Sequence, residues 1–331
     1  RMDLFTHVAL PLLFGRWLKR SGEEVAALAL GGLAPDLDIF LIPINWIHPN
    51  FFLLVHRGVT HTLFFGFFAA LLTLGLASTG PVRSWISQHL GLDPRFTRRA
   101  ILFAYAGVLV HLALDSLTTK GILLLYPFDA AMWSAEIFFY TEAPLLLASL
   151  GILVIEVKRQ DFVNPRKMIL LILLFLALTG SVRLAEKDRA EEILGDDSRV
   201  FPAFNLFEWT VLDEDDGVVS VYSYDALSGK VLLGGDFPKM NVSSPEEGLK
   251  AALDMAENLP QVRTFRLRAY DVVVSAAFRD GGWDLAYRDP VMTVRNKDRS
   301  LPLKGFFSGL VSFDVRVEEG GAKVRNGGYH I

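Results

Sequence analysis

The first half of the chain is a succession of apolar runs separated by short charged loops, and the second half turns to charges, glycines and period-two alternation. Runs at residues 62–79, 100–117, 143–157 and 168–182 approach the roughly 20 apolar residues that carry a helix across a bilayer. The last two are short by themselves; Phe138, Phe139 and Tyr140 are placed to lengthen the third, and Arg183-Leu184-Ala185 the fourth. A fifth run, VAALALGGLAPDLDIFLIPI (25–44), has spanning length but holds Asp36 and Asp38 in its middle. Charge at membrane depth is costly, so such residues usually face a protein interior or a wet cavity. The opening LFTHVALPLLFGRWL (4–18) reads as a short buried or interfacial helix.

Near residue 184 the pattern changes. GVVSVYSYD, KVLLGG, YDVVVSAAF and GLVSFDVRV alternate as strands, SPEEGLKAALDMAENL reads as a helix opened at Ser244, and Asp213, Glu214, Asp215 and Asp216 before Gly217 read as a solvated hairpin loop. The expected architecture is an α-helical polytopic membrane domain over residues 1–184, with about five spans plus a short N-terminal helix. A charged linker at 185–199, an exposed helix or tether, leads to a small α+β extramembrane domain at 200–331.

Composition narrows the chemistry. At 51% hydrophobic residues the chain is too apolar for an ordinary soluble protein, and a net charge of -4 provides no basic field for nucleic acid. Cysteine is absent, which removes disulfides, thiolate nucleophiles and cysteine-ligated zinc and leaves His, Asp and Glu as side-chain metal ligands. The residues after Met2 lack the order of a cleavable signal peptide, so the apolar runs are expected to persist in the mature chain.

Basic residues sign the loops, because they gather on the cytoplasmic side. Arg16, Lys19 and Arg20 share that side with Arg83, Arg95, Arg98 and Arg99 and with Lys158, Arg159, Arg166 and Lys167; Lys187 and Arg189 oppose it weakly. The C-terminal domain is then expected outside the cytoplasm, in an integral protein of the cell membrane. With this topology His7, Asp36, Asp38, His56, His61, His111 and Asp115 all fall at one depth near the outer interface. His111 and Asp115, four apart, share a helix face, and Pro35 breaks the chain so that Asp36 and Asp38 can address one site. A lone histidine in an apolar helix is more often a hydrogen-bonding core residue; seven potential ligands at one level instead argue for a divalent metal, one or two ions of zinc, manganese or iron. His48, His89 and His330 read as surface residues.

THVALPLLFG, APDLD, HRGVTHT and HLALDSLTTKGILLLYPF, in this order over roughly residues 1–130, resemble the membrane-bound metal-dependent hydrolases, also described as LexA-binding, inner-membrane-associated hydrolases. The combination of HRGxTH with HxxxDxxTxxG is specific, whereas PDxD alone is weak. The resemblance implies a helical membrane domain in which His7, Asp36, Asp38, His56, His61, His111 and Asp115 ligate metal. PAFNLFEWTVL (202–212) looks like the start of the soluble tail of longer members. A partial similarity extends to zinc-dependent phospholipase C, but no histidines match that enzyme's later ligands.

The expected function is hydrolysis of a phosphoester or other ester of a lipid or lipid-linked substrate by metal-activated water at the outer membrane interface. Arg57, Asp38 and His61 are the candidate catalytic residues, with Arg57 gripping a phosphate or anchoring at the interface. Thr60 and Thr118 are candidates for bonding a ligand or substrate, more simply as caps or partners of the ligands, and Glu136 and Glu142 are candidates for proton transfer. Trp46, Trp133, Phe51 and Phe52 suit the membrane interface. The tail reads as a lid or interaction domain whose partner is open. The alternative is a non-catalytic scaffold or signalling protein in which metal holds the helices together and the tail binds a partner. A metal transporter ranks last, because the inner halves of the spans are nearly all apolar, and nothing favours a peptidase, HExxH being absent.

Overall fold

The computed structural model describes residues 4–48, 53–139, 142–158, 164–195, 197–245, 247–297 and 312–326, without the side chains of Asn45 and Trp46. Tyr140, Phe51, Phe52, His330 and the Trp46 side chain lie outside the described residues. The chain divides into two compact units, residues 1–42 with 54–184, and residues 185–331 with the segment 43–53.

In the first unit, α1 (Leu4–Trp17) and α2 (Gly22–Leu33) lead to a 3-10 helix (Ala34–Phe40); α3 (Ile42–Ile47) follows, all but its first residue within the 43–53 segment of the second unit. A second 3-10 turn (Val59–His61) precedes α4 (Leu63–Ala77), and α5 (Gly80–Leu90), α6 (Arg98–Asp115), α7 (Ala143–Lys158) and α8 (Pro165–Leu194) follow. The helix starts are written locally. Ser21 and Glu24 form a reciprocal capping box on α2, and the Thr62 and Thr97 hydroxyls accept the Phe65 and Ala100 N–H groups at 2.9 and 3.1 Å.

Among the described residues, two stretches are long and apolar enough to cross a membrane, Gly22–Ile44 and Pro165–Leu194; a third is reached only if α4 and α5, bent by 84° at their junction, count as one. This corrects the expectation of about five spans. The 15 residues of α4 extend about 23 Å at 1.5 Å per residue, against a hydrocarbon core of about 30 Å. The 16 residues of α7 are similarly short, and α6 carries Arg98, Arg99 and Asp115 within its 18 residues. Phe138 and Phe139 are buried in irregular chain ahead of α7 and do not lengthen it.

Glycine sets the spacing of the inner helices. A Cβ on Gly31 would lie 1.8 Å from the Ala104 carbonyl oxygen, one on Gly107 2.2 Å from that of Leu28, and one on Gly32 2.0 Å from that of His7. Backbones of α1, α2 and α6 therefore touch, as small residues permit at membrane helix crossings. Thr6 and Ser149, both buried, join α1 to α7 through their hydroxyls at 2.7 Å.

The second unit holds two sheets. Strands β1 (Arg199–Pro202), β2 (Glu208–Asp215), β3 (Val218–Asp225) and β4 (Lys230–Pro238) form an antiparallel meander. Then come β5 (Met240–Val242), α9 (Leu249–Glu257), α10 (Pro260–Arg268), β6 (Val273–Arg279), β7 (Gly282–Arg288), α11 (Pro290–Lys297), β8 (Ser312–Glu318) and β9 (Gly321–Asn326). Strands β5 to β9 pair in sequence order, parallel only between β5 and β6. Inward residues of β6, β7 and β8, such as Val274, Leu285 and Val315, bury against Ala252 and Ala256 of α9 and Phe265 of α10. The acidic stretch ends β2, and Asp216 and Gly217, both at positive φ, turn the hairpin.

Two expectations are decided here. The helix foreseen from Ser244 begins at Leu249, because Gly248 sits in the left-handed region at φ 77°; the Ser244 hydroxyl instead accepts the Phe278 N–H. Of the helix and the tether, the charged linker is helix: residues 185–194 continue α8, mostly exposed, with Glu186, Ala190 and Leu194, spaced at helical intervals, turned inward. Trp209 donates its indole N–H to Glu186 at 3.0 Å, while the charges of Asp188 and Arg189 stay on the exposed face.

Candidate metal centre

The seven residues singled out by spacing converge. His7 comes from the first turns of α1, Asp36 and Asp38 from the 3-10 helix where Pro35 halts α2, His56 and His61 from the loop before α4, and His111 and Asp115 from the last turns of α6. Pairs of these groups lie within ion-pair distance throughout. His7, His61, His111 and Asp115 are at most 1% exposed, and the His56 side chain is 12% exposed.

The decisive feature is the direction of the imidazoles. His111 Nδ1 lies 2.7 Å from the Gly32 carbonyl oxygen, which only accepts, so Nδ1 carries the proton and Nε2 presents a lone pair. His7 Nδ1 is 3.2 Å from Asp36 Oδ2, and His61 Nδ1 is 3.1 Å from the Thr60 hydroxyl and 3.3 Å from Asp38 Oδ2. The Nε2 atoms of His7, His61 and His111 are all buried and have no hydrogen-bond partner. They face carboxylates instead. His61 Nε2 is 3.5 Å from both Asp36 Oδ1 and Asp115 Oδ2, His7 Nε2 is 3.5 Å from Asp115 Oδ1, and His111 Nε2 is 3.6 Å from Asp115 Oδ2.

Ligand atoms about 2.1 Å from a tetrahedral ion stand roughly 3.4 Å apart, close to these separations. Three overlapping groups of ligand atoms each fit a common centre: His7, His111 and Asp115; Asp36, His61 and His111; and Asp38, His56 and His61. The donor set therefore fits a divalent cation. Asp36, Asp38 and Asp115 against Arg57 leave two negative charges when the imidazoles are neutral, which one such ion balances.

Electrostatics outside the spans agree. Burial lowers the pKa of His56 to about 4 despite its contact with Asp38, leaving it neutral. For His61 burial also opposes charge, but the Asp36 and Asp38 carboxylates beside it win and raise its pKa to about 9, so that without metal a proton takes the place of the cation.

The groups around the cluster act on the ligands. The Arg57 guanidinium, at positive φ, reaches Asp115 Oδ1 at 2.6 Å and the Thr119 carbonyl at 3.3 Å, and the Arg57 N–H donates to Asp38 at 3.1 Å. Arg57 is thus engaged as a clamp between Asp38 and Asp115. Thr60 donates to Asp38 Oδ2 at 3.1 Å, and Thr118 donates to the Asp115 carbonyl at 2.8 Å as part of the helix end. Glu142 pairs with Arg183 at 3.3 Å, and Glu136 lies outside the three ligand groups. His89 stacks on Trp85, and His48 is exposed. The Gly32 carbonyl went unforeseen; the Gly31-Gly32 pair in a run of alanine and leucine was its signal.

Comparison with known proteins places the chain. The family model described as YdjM inner membrane protein matches residues 2–190, and the chain belongs to that family. Inner membrane protein YbcI of Escherichia coli (strain K12) is 33% identical over 141 residues, covering 41% of this chain and 70% of that protein. No solved structure matches. Family and apolar helices together make this an inner membrane protein.

Proposed function

We propose that this YdjM-family membrane protein is a metal-dependent hydrolase acting on an ester or phosphoester of a lipid or lipid-linked substrate. The observation that carries the reading is the set of three buried, unpartnered Nε2 atoms aimed at two carboxylates. Imidazole nitrogens opposed to carboxylates at this range are unfavourable unless a proton or a metal cation lies between them, and one cation can serve all three. His7, His61, His111, Asp36 and Asp115 would hold it, with buried Asp38 and the more exposed His56 beside them. Nitrogen and oxygen donors suit zinc, manganese or iron. A bound divalent ion supplies Lewis acidity and lowers the pKa of water, which permits hydrolysis near neutral pH.

The chain's own groups then have defined tasks. Asp38 gathers the Arg57 N–H, the Thr60 hydroxyl and the His56 imidazole, so it orients two histidine ligands at once. Arg57 compensates Asp115 and, being 9% exposed in its side chain, is the positive group a phosphate would meet. The ligands sit at one end of α1, α2 and α6, and Arg16, Glu24 and Arg99 occupy the other. This supports the cluster facing the non-cytoplasmic interface, where an amphiphilic substrate presents its headgroup.

The near-complete burial of His7, His61 and His111 favours a second reading, a closed structural site that fastens the helices. The test is metal content of the full chain purified without chelator and supplied with zinc or manganese, beside the His111→Ala, Asp115→Ala variant. About one ion per chain in the parent and none in the variant is expected, followed by chelator-sensitive hydrolysis in a panel of phospholipids and lipid phosphates. Metal-free parent protein would overturn both readings. Bound metal with an inert panel and no exchangeable water would leave the structural site.

A further inference from the structure

Helices α1, α2, α5 and α7 line a cavity that runs from Val8 and Leu33, near the cluster, to Arg16 and Glu156 at the other end. Its volume is about 150 Å3, and Leu12 of α1, Ala29 and Leu30 of α2, Ile86 of α5 and Leu153 of α7 line it. Apart from Arg16 and Glu156, every lining residue is apolar. These two form an ion pair at 3.0 Å. Away from that ion pair the wall is apolar and suits hydrocarbon rather than ordered water.

Its surroundings identify which hydrocarbon. α5, turned 84° from α4, buries Ile86 on the cavity side and exposes Trp85, the arrangement of a helix lying in a membrane interface. Acids at this end are already engaged: Glu24 with Arg99, Asp93 with Arg83 and Arg95, Glu156 with Arg16, and Glu23 with the Thr97 hydroxyl. Lys19, Arg20, Arg98 and Lys158 remain as exposed positive charge. Lys19 follows Arg16 by one turn and bonds its carbonyl, and Lys158 follows Val157, which lines the cavity. An apolar slot beneath a surplus of cations matches a molecule with a hydrocarbon chain and an anionic head.

We propose that this cavity binds a short segment of one acyl chain of an anionic phospholipid, whose headgroup rests on Lys19, Lys158 and their basic neighbours. The site is separate from the metal cluster and does not depend on its chemistry.

The test uses the full chain in vesicles carrying phosphatidylglycerol or phosphatidylcholine with a photoreactive diazirine in one acyl chain, and maps crosslinked peptides by mass spectrometry. Crosslinks are expected at Leu12, Ala29, Leu30 and Leu153, with phosphatidylglycerol ahead by about fivefold, the effect of one basic residue near an anionic surface. Ala29→Phe, which fills the slot, should remove them, and the double variant Lys19→Glu, Lys158→Glu should remove the preference between lipids. Equal labelling by both lipids overturns the proposal. So do crosslinks confined to exposed Leu72, Leu102 and Leu174, or labelling untouched by Ala29→Phe. If Ala29→Phe fails to fold, the charge variant, whose residues are exposed, decides.

Discussion

Each unit of the protein buries a polar network, and the two differ in what they leave over. In the second unit Arg295 of α11 is 3% exposed, and its guanidinium donates to the Thr210 hydroxyl, the Tyr270 hydroxyl and the Pro202 carbonyl at 3.0, 2.9 and 3.0 Å. It also lies over the Tyr270 ring, and nearby Asp289 accepts the Tyr270 and Met292 N–H groups. All of its nitrogens are satisfied. In the first unit the histidine–aspartate cluster is buried as deeply, yet three imidazole nitrogens end without partners. Burial of polar groups alone is therefore a poor sign of function. Residual bonding capacity aimed at one point is a better one, because a satisfied network stabilises a fold while an unsatisfied one costs stability until a ligand arrives.

The comparison breaks most visibly under removal of two cluster residues. His111→Ala with Asp115→Ala is expected to weaken metal binding by on the order of a thousandfold, given that a complete zinc site is worth about 10–16 kcal/mol, read by competition with a fluorescent chelator. Next in size, Arg295→Leu should destabilise the second unit by about 3 kcal/mol, since several buried acceptors lose their donor, with metal content unchanged. Thermal unfolding followed by near-UV dichroism measures it. A metal defect in Arg295→Leu would show that the two networks are not independent.

Smaller changes sharpen the contrast. Gly32→Ala places a methyl 2.0 Å from the His7 carbonyl and should push α1 outward and shift the acceptor of His111, with metal affinity falling about 10–100-fold, measured by calorimetry. Thr60→Val removes the hydroxyl that joins Asp38 and His61 and should cost about tenfold in affinity with little change in unfolding temperature. Trp209→Phe, which deletes the hydrogen bond to Glu186, is expected to cost about 1 kcal/mol in denaturant unfolding and to leave metal binding intact.

Local spacing in the sequence already pointed to the side chains that meet in the cluster. An i, i+4 pair on α6, two aspartates at a proline break and two histidines before a threonine cap are local facts, so they were legible. The change of periodicity near residue 184 likewise marked where apolar helices give way to a region of strands. Span number was not legible, because run length in apolar residues overstates helix length where a chain bends, as between α4 and α5, or opens on arginines, as α6 does.

Tertiary structure alone decided how the cluster works. Which nitrogen of His111 is free depends on a carbonyl brought from Gly32, 79 residues away, across a contact that only glycine allows. Whether Arg57 grips a substrate or clamps the ligands depends on Asp115 standing 58 residues further along the chain. Proton placement and charge compensation are set by neighbours in space. Spacing along a helix fixes which residues can share a face, but the partner across the interface fixes where their lone pairs point.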